Sequence, residues 1–271
     1  MSLQFKSPAK INLFLHVHGK RDDGYHSLSS LIQTVSLFDC IAIGCEGQDR
    51  FTCSVSKLEH PHNLALRARD LFREKTGWRR PLAITLEKRI PQEAGLGGGS
   101  GNAATILFAM NRLSGLKIPE STLQTWSGEL GSDVPFFFSH GTALCEGRGE
   151  IVTDLAPLPQ TQVTVVKPAC SLKTPEVFSA YRAPSAARDR SRARLSEILE
   201  GKPNFENDLE SAALSLAPDL ASVRRALREA TPHSSMTGSG SSFYCLGHHS
   251  VGLDIPTWKL NFHHRQPGEW Y

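Results

Sequence analysis

The stretch that most limits what this chain can fold into is Pro91-Gln-Glu-Ala-Gly95-Leu-Gly97-Gly98-Gly99-Ser100-Gly101-Asn102, where five of the seven residues from 95 to 101 are glycine. Glycine weakens helix and strand alike, and it is favoured where the backbone takes positive φ or lies directly against another group. Immediately afterwards Ala103, Ile106, Leu107, Met110 and Leu113 recur at helical spacing, which predicts a helix with one apolar face. Ser114-Gly115 is an ordinary stop for such a helix.

A glycine loop feeding straight into a helix points unpaired backbone N–H groups, and the positive end of the helix dipole, at whatever lies in front of it. That is a phosphate-binding arrangement. A plain strand-to-helix turn is the competing reading, and it does not account for so many glycines beside the Ser100 hydroxyl. Two familiar phosphate loops are excluded. The Walker pattern ends in Gly-Lys-Ser/Thr, and no lysine follows these glycines. The dinucleotide fingerprint Gly-x-Gly-x-x-Gly, laid over Gly95 to Ser100, puts Ser100 where its third glycine belongs.

Upstream, Ser7 to His18 alternates, with Ile11, Leu13, Leu15 and Val17 on one face and Lys10, Asn12, Phe14, His16 and His18 on the other. This predicts a strand with one buried side. Lys10 and Asn12, two apart, share a face. His16 and His18 share it as well, but no Cys or carboxylate set accompanies them to complete a metal site. A polar turn then leads to Tyr25-His26. A tyrosine ring offers a face for stacking a base, and histidine offers a donor and an acceptor to a base edge; a partly buried core tyrosine is the plainer alternative. Asp133, in Gly131-Ser132-Asp133-Val134-Pro135, follows a predicted short helix at 122–130 and precedes an expected apolar strand at Phe136-Phe137-Phe138. A carboxylate in that place either caps the break or is held there for chemistry.

The pattern Pro-x-x-x-Gly-Leu-Gly followed by small residues resembles the ATP loop of the GHMP kinases. Taken with Pro8-Ala-Lys10-Ile-Asn12-Leu13 and Asp23-Gly-Tyr25-His26, it resembles one branch of that family, whose acceptor is a methylerythritol tethered to CMP by a diphosphate in the non-mevalonate isoprenoid route. The resemblance implies a two-domain α+β fold: an N-terminal ATP-loop α/β domain over 1–156 and a ferredoxin-like C-terminal domain over 157–271, with the active site in the cleft. It implies ATP as co-substrate, Mg2+, and phosphoryl transfer to the acceptor's 2-hydroxyl. Asp133 would take the hydroxyl proton and Lys10 offset the charge that develops. For the acceptor it implies that Asn12 faces it, that Tyr25 and Phe178 are the stacking rings, that His26 meets the base edge, and that Thr174 lies toward the diphosphate. For ATP it implies Asn63 near adenine, the loop residues Pro91, Gly95, Leu96, Gly97, Gly98, Gly99, Ser100 and Gly101, and Gly238 and Gly240 in a second glycine loop at Ser235 to Cys245. Lys88 either reaches the nucleotide or is a charged strand end. Ser100 is the single candidate side chain for the metal. Two departures stand out: Gly101 replaces a usual Ser or Ala, so a loop hydroxyl is absent, and Ser241 replaces a usual Ala. The rivals are another small-molecule kinase of the family, which has no use for Tyr25, His26 and Phe178, and a non-catalytic nucleotide-binding relative, which has no need of both Lys10 and Asp133.

With 39% apolar and 21% charged residues among 271, the chain reads as a globular protein, and its net charge of +3 asks for no nucleic-acid partner. Six cysteines without a Cys-x-x-Cys pair suggest free thiols in a reducing compartment. No apolar run approaches the roughly 20 residues of a membrane helix, and Met1-Ser-Leu-Gln-Phe opens neither a signal nor a transit peptide. The expectation is a cytoplasmic protein, monomer or weak homodimer, acting on a small molecule that carries a cytidine diphosphate. Further strands are expected at 31–38, 41–45, 51–55, 82–86 and 163–166, a helix at 65–75 and a domain break at Pro157-Leu-Pro159, and the resemblance implies a hairpin at 141–151. Residues 183–194, charged amid Ala, Ser and Pro, read as a mobile solvated loop. The stretch His263 to Tyr271 carries no usable signal.

Overall fold

The structure, a computed structural model, describes residues 2–182 and 189–271. In chain order it contains β1 (Ser2–Lys20), β2 (His26–Cys45), β3 (Arg50–Cys53), α1 (Leu64–Thr76), β4 (Leu82–Glu87), α2 (Gly98–Ser114), α3 (Glu120–Ser127), β5 (Thr142–Gly147) and β6 (Ile151–Asp154). There follow β7 (Gln162–Val166), α4 (Thr174–Ala180), α5 (Ser191–Leu199), β8 (Glu206–Asn207), α6 (Glu210–Leu216), α7 (Leu220–Ala230), β9 (Ser234–Met236), β10 (Phe243–Leu246) and β11 (Thr257–Asn261). The larger sheet runs β3-β4-β2-β1-β8, with β5 and β6 extending from β2; the smaller has the order β11-β7-β10-β9 and is antiparallel throughout.

Three apolar cores separate four layers. Ile41, Ile43, Ile84 and Leu86 of the larger sheet pack against Ala68 and Phe72 of α1 and Ile106 and Leu107 of α2. Ile11, Leu13, Leu31 and Val35 face Val163, Val165, Tyr244 and Leu260 of the smaller sheet. On its far side, Val166, Phe243 and Cys245 meet Val177, Ala213, Val223 and Leu227 from α4, α6 and α7. Alternation along β7 and β10 sends neighbouring residues to opposite cores, as the two-residue period of a strand requires.

Four local expectations are corrected. The first strand is buried on both faces from Ser7 to Val17, because its polar face is covered by the glycine loop and the start of α2 at Ser7 to Lys10 and by Ser191 and Glu206 at His16, while the smaller sheet covers the Ile11 and Leu13 side. A register shift between Asn12 and Phe14 breaks the alternation, so that Leu13 and Phe14 enter the same core. The stretches 31–38 and 41–45 are one continuous strand, β2. Pro135 to Phe138 is a 3-10 turn rather than a strand: proline fits the first turn of a helix, and the turn lets three consecutive phenylalanines enter one core. Of the expected mobile loop at 183–194, residues 183–188 lie outside the described residues, while Ser191 to Arg194 begin α5, whose first turn is held by Asp189 accepting from the Ser191 N–H at 2.9 Å.

The last residues return to the first half of the chain. Arg265, 5% exposed, donates from Nε and Nη2 to the Ser139 and Phe138 carbonyls and pairs with Glu120. Trp270 stacks on Phe108 of α2 at 4.5 Å and donates its indole N–H to Thr105 at 3.0 Å.

Candidate active site

Between the two sheets' loop ends lies a cleft of about 1130 Å³. Lys10 stands at its centre. The strand places the residue, and two glycines make room for its side chain: a Cβ on Gly97 would come within 2.8 Å of Lys10 Cγ, and one on Gly238 within 3.3 Å of Lys10 Nζ. The backbone N–H of Lys10 donates to the Leu96 carbonyl at 2.9 Å, which fixes the first loop to the strand. The ammonium is 2% exposed, donates to Asn12 Oδ1 at 2.7 Å, and lies 3.6 Å from Asp133 Oδ2. Asp133 itself is 44% exposed and opens onto the cleft.

Asn12 lines the cleft, but its hydrogen bonds run within the protein. Its Oδ1 accepts from Lys10, Thr237 Oγ1 and the Gly238 N–H, and its Nδ2 donates to Ser30 Oγ. It is therefore the joint between strand, lysine and second glycine loop. Thr237 Oγ1 reaches the Gly95 carbonyl, and the Ser242 N–H donates to the Ala94 carbonyl, so the two glycine loops are bonded to each other. The unexpected Ser241 also has a partner. It accepts from the buried Lys167 ammonium at 2.9 Å and donates to the Cys170 carbonyl; burial pushes the pKa of Lys167 below the ordinary lysine range.

The first glycine loop is shorter than expected, because α2 begins at Gly98 and absorbs Gly98 to Gly101 into its opening turns. Gly95 and Gly97, with φ of 70° and 68°, make the turn into it. Gly98, Gly99 and Ser100 line the cleft. Gly101 does not: it is buried against β1, and a Cβ there would meet the Pro8 carbonyl oxygen and Ser7 Oγ, both at 2.9 Å. The expected role of Gly101 at the nucleotide is thus replaced by close helix–strand packing. Asn102 lines the cleft at 2% exposure, and its Oδ1 has no hydrogen-bond partner.

Near the other end of the loop, Lys88 forms an ion pair with Asp39, whose Oδ1 accepts from the backbone of Arg89 and Ile90 at 2.7 and 2.8 Å. Lys88 therefore anchors the approach to the loop as well as lining the cleft. Asn63 caps α1, accepting from the Ala65 N–H and donating to the Leu58 carbonyl, so its amide holds the turn beside the cleft.

Opposite the glycine loop the cleft is aromatic and basic. His26 and Phe178 stack at 5.0 Å with planes 28° apart, and Tyr25, 52% exposed, stands near them on the rim. Burial, and after it the charge of Lys20, lowers the pKa of His26, which keeps the ring neutral at neutral pH. Thr174, at the start of α4, exchanges a hydrogen bond with Ser239 at 2.8 Å. Lys20, Arg148, Lys173 and Arg182 line this end too and escaped the sequence reading. Arg148 had a visible signal, a long cationic side chain in a turn flanked by Gly147 and Gly149.

The fit to a nucleotide with a divalent metal rests on three observations. The first turn of α2 offers free N–H groups, Gly99 leaves open space in front of them with only Leu64 Cδ1 within 4 Å of a would-be Cβ, and Asn102 keeps an unpaired amide oxygen. Among the described residues no group of three or more His, Cys, Asp or Glu stands together to hold a metal. His16 and His18 are engaged separately, with Ser191 and Glu206, and with Ser29.

The chain has known relatives. Residues 63–141 match the model of the GHMP kinases N terminal domain. The chain is 43% identical to the 4-diphosphocytidyl-2-C-methyl-D-erythritol kinase of Protochlamydia amoebophila, over 100% of this chain and 93% of that protein. It is 38% identical to the chloroplastic enzyme of the same name from Arabidopsis thaliana, over 99% of this chain and 76% of the relative. A crystal structure of 4-(cytidine 5'-diphospho)-2C-methyl-D-erythritol kinase superposes with a TM-score of 0.82 at 33% identity, covering 96% of this chain and 99% of that one. Sequence and architecture agree over nearly the whole length, and the chain belongs to the GHMP kinases, within the 4-diphosphocytidyl-2-C-methyl-D-erythritol kinase family.

Proposed function

We propose that this cleft transfers the γ-phosphoryl group of ATP to the 2-hydroxyl of 4-diphosphocytidyl-2-C-methyl-D-erythritol. The observation that carries the reading is the convergence of Lys10 and Asp133, 3.6 Å apart, between a phosphate-type glycine loop and an aromatic, basic pocket. ATP enters on the glycine loop, its phosphates on the first-turn N–H groups of α2 and the dipole behind them. Magnesium, when bound, screens the phosphate charge and supports the leaving diphosphate; Ser100 and Asn102 are the side chains that would face it. The cytosine lies between Tyr25 and Phe178, replacing the His26–Phe178 stack, and the neutral imidazole of His26 reads its edge as donor and acceptor. Thr174 meets the diphosphate.

The acceptor hydroxyl then lies between Lys10 and Asp133. Asp133 accepts its proton as the bond to phosphorus forms, and Lys10 offsets the negative charge gathering on that oxygen. Phosphoryl transfer is mostly positioning and electrostatics, so the rigid seat of Lys10 matters as much as its charge. Asn12 supplies that seat. A monomer or weak homodimer and a cytoplasmic address belong to the same proposal. Among the described residues no helix is long and apolar enough to cross a membrane.

The test is transfer from labelled ATP with magnesium to the diphosphocytidyl acceptor, beside the same sugar phosphate lacking cytidine. Transfer to the first with little to the second is expected. Transfer to neither, by folded protein that binds ATP, overturns the reading.

A further inference from the structure

The turn between β5 and β6 carries a cation to the rim of the acceptor pocket. Its residues are Arg148, Gly149 and Glu150, and Arg148 lines the cleft beside Tyr25. The Arg148 guanidinium carbon lies 4.8 Å from the centroid of the Tyr25 ring, within the range of a cation–π contact. We propose that Arg148 is a specificity-determining positioning residue, which holds Tyr25 by one face so that the other is presented to the nucleobase of the acceptor. The inference rests on the reading of this pocket as a cytidine site.

The arginine is itself held. Glu150 accepts from the Arg148 backbone N–H at 2.6 Å and from its Nε at 3.4 Å. This fold-back needs the glycines: a Cβ on Gly147, at φ 74°, would come within 2.9 Å of Glu150 Oε2, and Gly149 takes φ 120°. On the tyrosine side, Asp23 Oδ1 accepts the Tyr25 N–H at 3.1 Å, while Arg21 pairs with the same carboxylate. Desolvation, the largest single influence, raises the pKa of Asp23, but hydrogen bonds from Tyr25 and Arg21 and the charges of Arg21 and Arg148 together outweigh it and draw the pKa down. So the backbone of Tyr25 is fixed by its own turn, and its ring by the hairpin. The hairpin also packs on the other catalytic element: a Cβ on Gly149 would lie 3.5 Å from the Ser132 carbonyl oxygen and 3.7 Å from Asp133 Oδ1. One rigid turn thereby sets the distance between the ring that recognises the base and the carboxylate that faces the hydroxyl. A half-exposed tyrosine without such a brace loses rotational freedom on stacking, and that loss weakens binding.

The experiment measures kcat, and KM for each substrate, in the wild type, R148M and R148K, together with calorimetric affinity for CMP. R148M is expected to raise the acceptor KM about tenfold, as loss of one partly desolvated cation–π contact implies, with kcat and the ATP KM within about twofold. R148K, which returns a cation to the ring, is expected to recover part of the loss. In a Tyr25→Ala background R148M is expected to add nothing further, and CMP affinity is expected to fall in step with KM. An unchanged acceptor KM and CMP affinity in R148M overturns the proposal. So does a further loss in the Tyr25→Ala background, since Arg148 would then be acting on the ligand directly. A wild type that shows no preference for the cytidine-bearing acceptor, and no CMP binding, instead overturns the reading of the pocket on which the proposal stands.

Discussion

At residues 95–101 and 237–241 the chain passes through two glycine-rich loops that face each other across Lys10, the first opening a helix and the second joining two strands. Their compositions are alike, but their glycines answer different needs. In the second loop, Gly238 at φ 57° takes a turn, and the neighbouring groups are tied to Asn12, Gly95 and Ala94. Gly95 belongs to the same docking, since a Cβ there would overlap the Thr237 carbonyl oxygen. Gly99 is the contrast: it faces the cleft with open space before it. Some of these glycines let protein approach protein, and others keep space for a ligand, a distinction that composition alone does not draw.

The largest expected effect lies where the loops meet. Asp133→Ala and Lys10→Met should each lower kcat by about 10² to 10⁴, the range of acid–base contributions, while ADP affinity by calorimetry stays within a few-fold. Turnover near wild type in Asp133→Ala would remove that residue from the mechanism. Next comes the glycine contrast itself. Gly95→Ala, strained in φ and overlapping the second loop, should cost about 2–4 kcal/mol in urea unfolding. Gly99→Ala, at a helical position, should leave stability unchanged or raise it by up to about 1 kcal/mol, yet raise the ATP KM about tenfold, or 1.4 kcal/mol. Equal destabilisation by the two substitutions would break the comparison.

Asn12→Leu should be milder than Gly95→Ala, costing about 1–3 kcal/mol because it strands the Gly238 N–H and the Lys10 ammonium, and it should lower kcat more than it alters the ATP KM. The smallest effect is expected far from both loops. Asp49 takes a bidentate pair from Arg73, which holds its pKa at about 2 against an ordinary 3.8. A depressed carboxylate stabilises above its unfolded pKa and loses that contribution as pH falls through the folded one. Asp49→Asn should therefore flatten the acid-unfolding curve between about pH 4 and 2, by no more than about 1 kcal/mol since the pair is partly exposed and screened.

The elements that could be read from the sequence were those decided by local chemistry. The helix after the glycines, its stop at Gly115 and the 65–75 helix needed only periodicity, glycine and turn residues, while the 141–151 hairpin was expected from resemblance. Phe14 and His16 were placed on the polar face because alternation sees neither the register shift that turns Phe14 into the core between the sheets nor the Ser191 and Glu206 groups that enclose His16. Phe136 to Phe138 looked like a strand because an unbroken aromatic run gives no period to count. Lys10, Asn12, Asp133, Tyr25 and His26 could be singled out through motif resemblance, and the structure brings them to one cleft. That Asn12 spends its amide on Lys10 and Gly238 is a tertiary fact, with partners more than two hundred residues away in sequence in the case of Gly238. Gly101 failed for a related reason, since a glycine that admits a neighbouring strand reads like one that admits a phosphate.

The anchoring of Arg265 and Trp270 on the first half of the molecule bears on how the chain is made. Residues 262–271 are synthesised after every element they cover, among them α2, whose Phe108 and Thr105 receive Trp270. Domains begin to fold from the N-terminal side while translation continues, and during that interval this helix face has no lid. The nascent first half therefore exposes this apolar surface until residues 262–271 have followed it from the ribosome, which makes chaperone engagement a matter of timing.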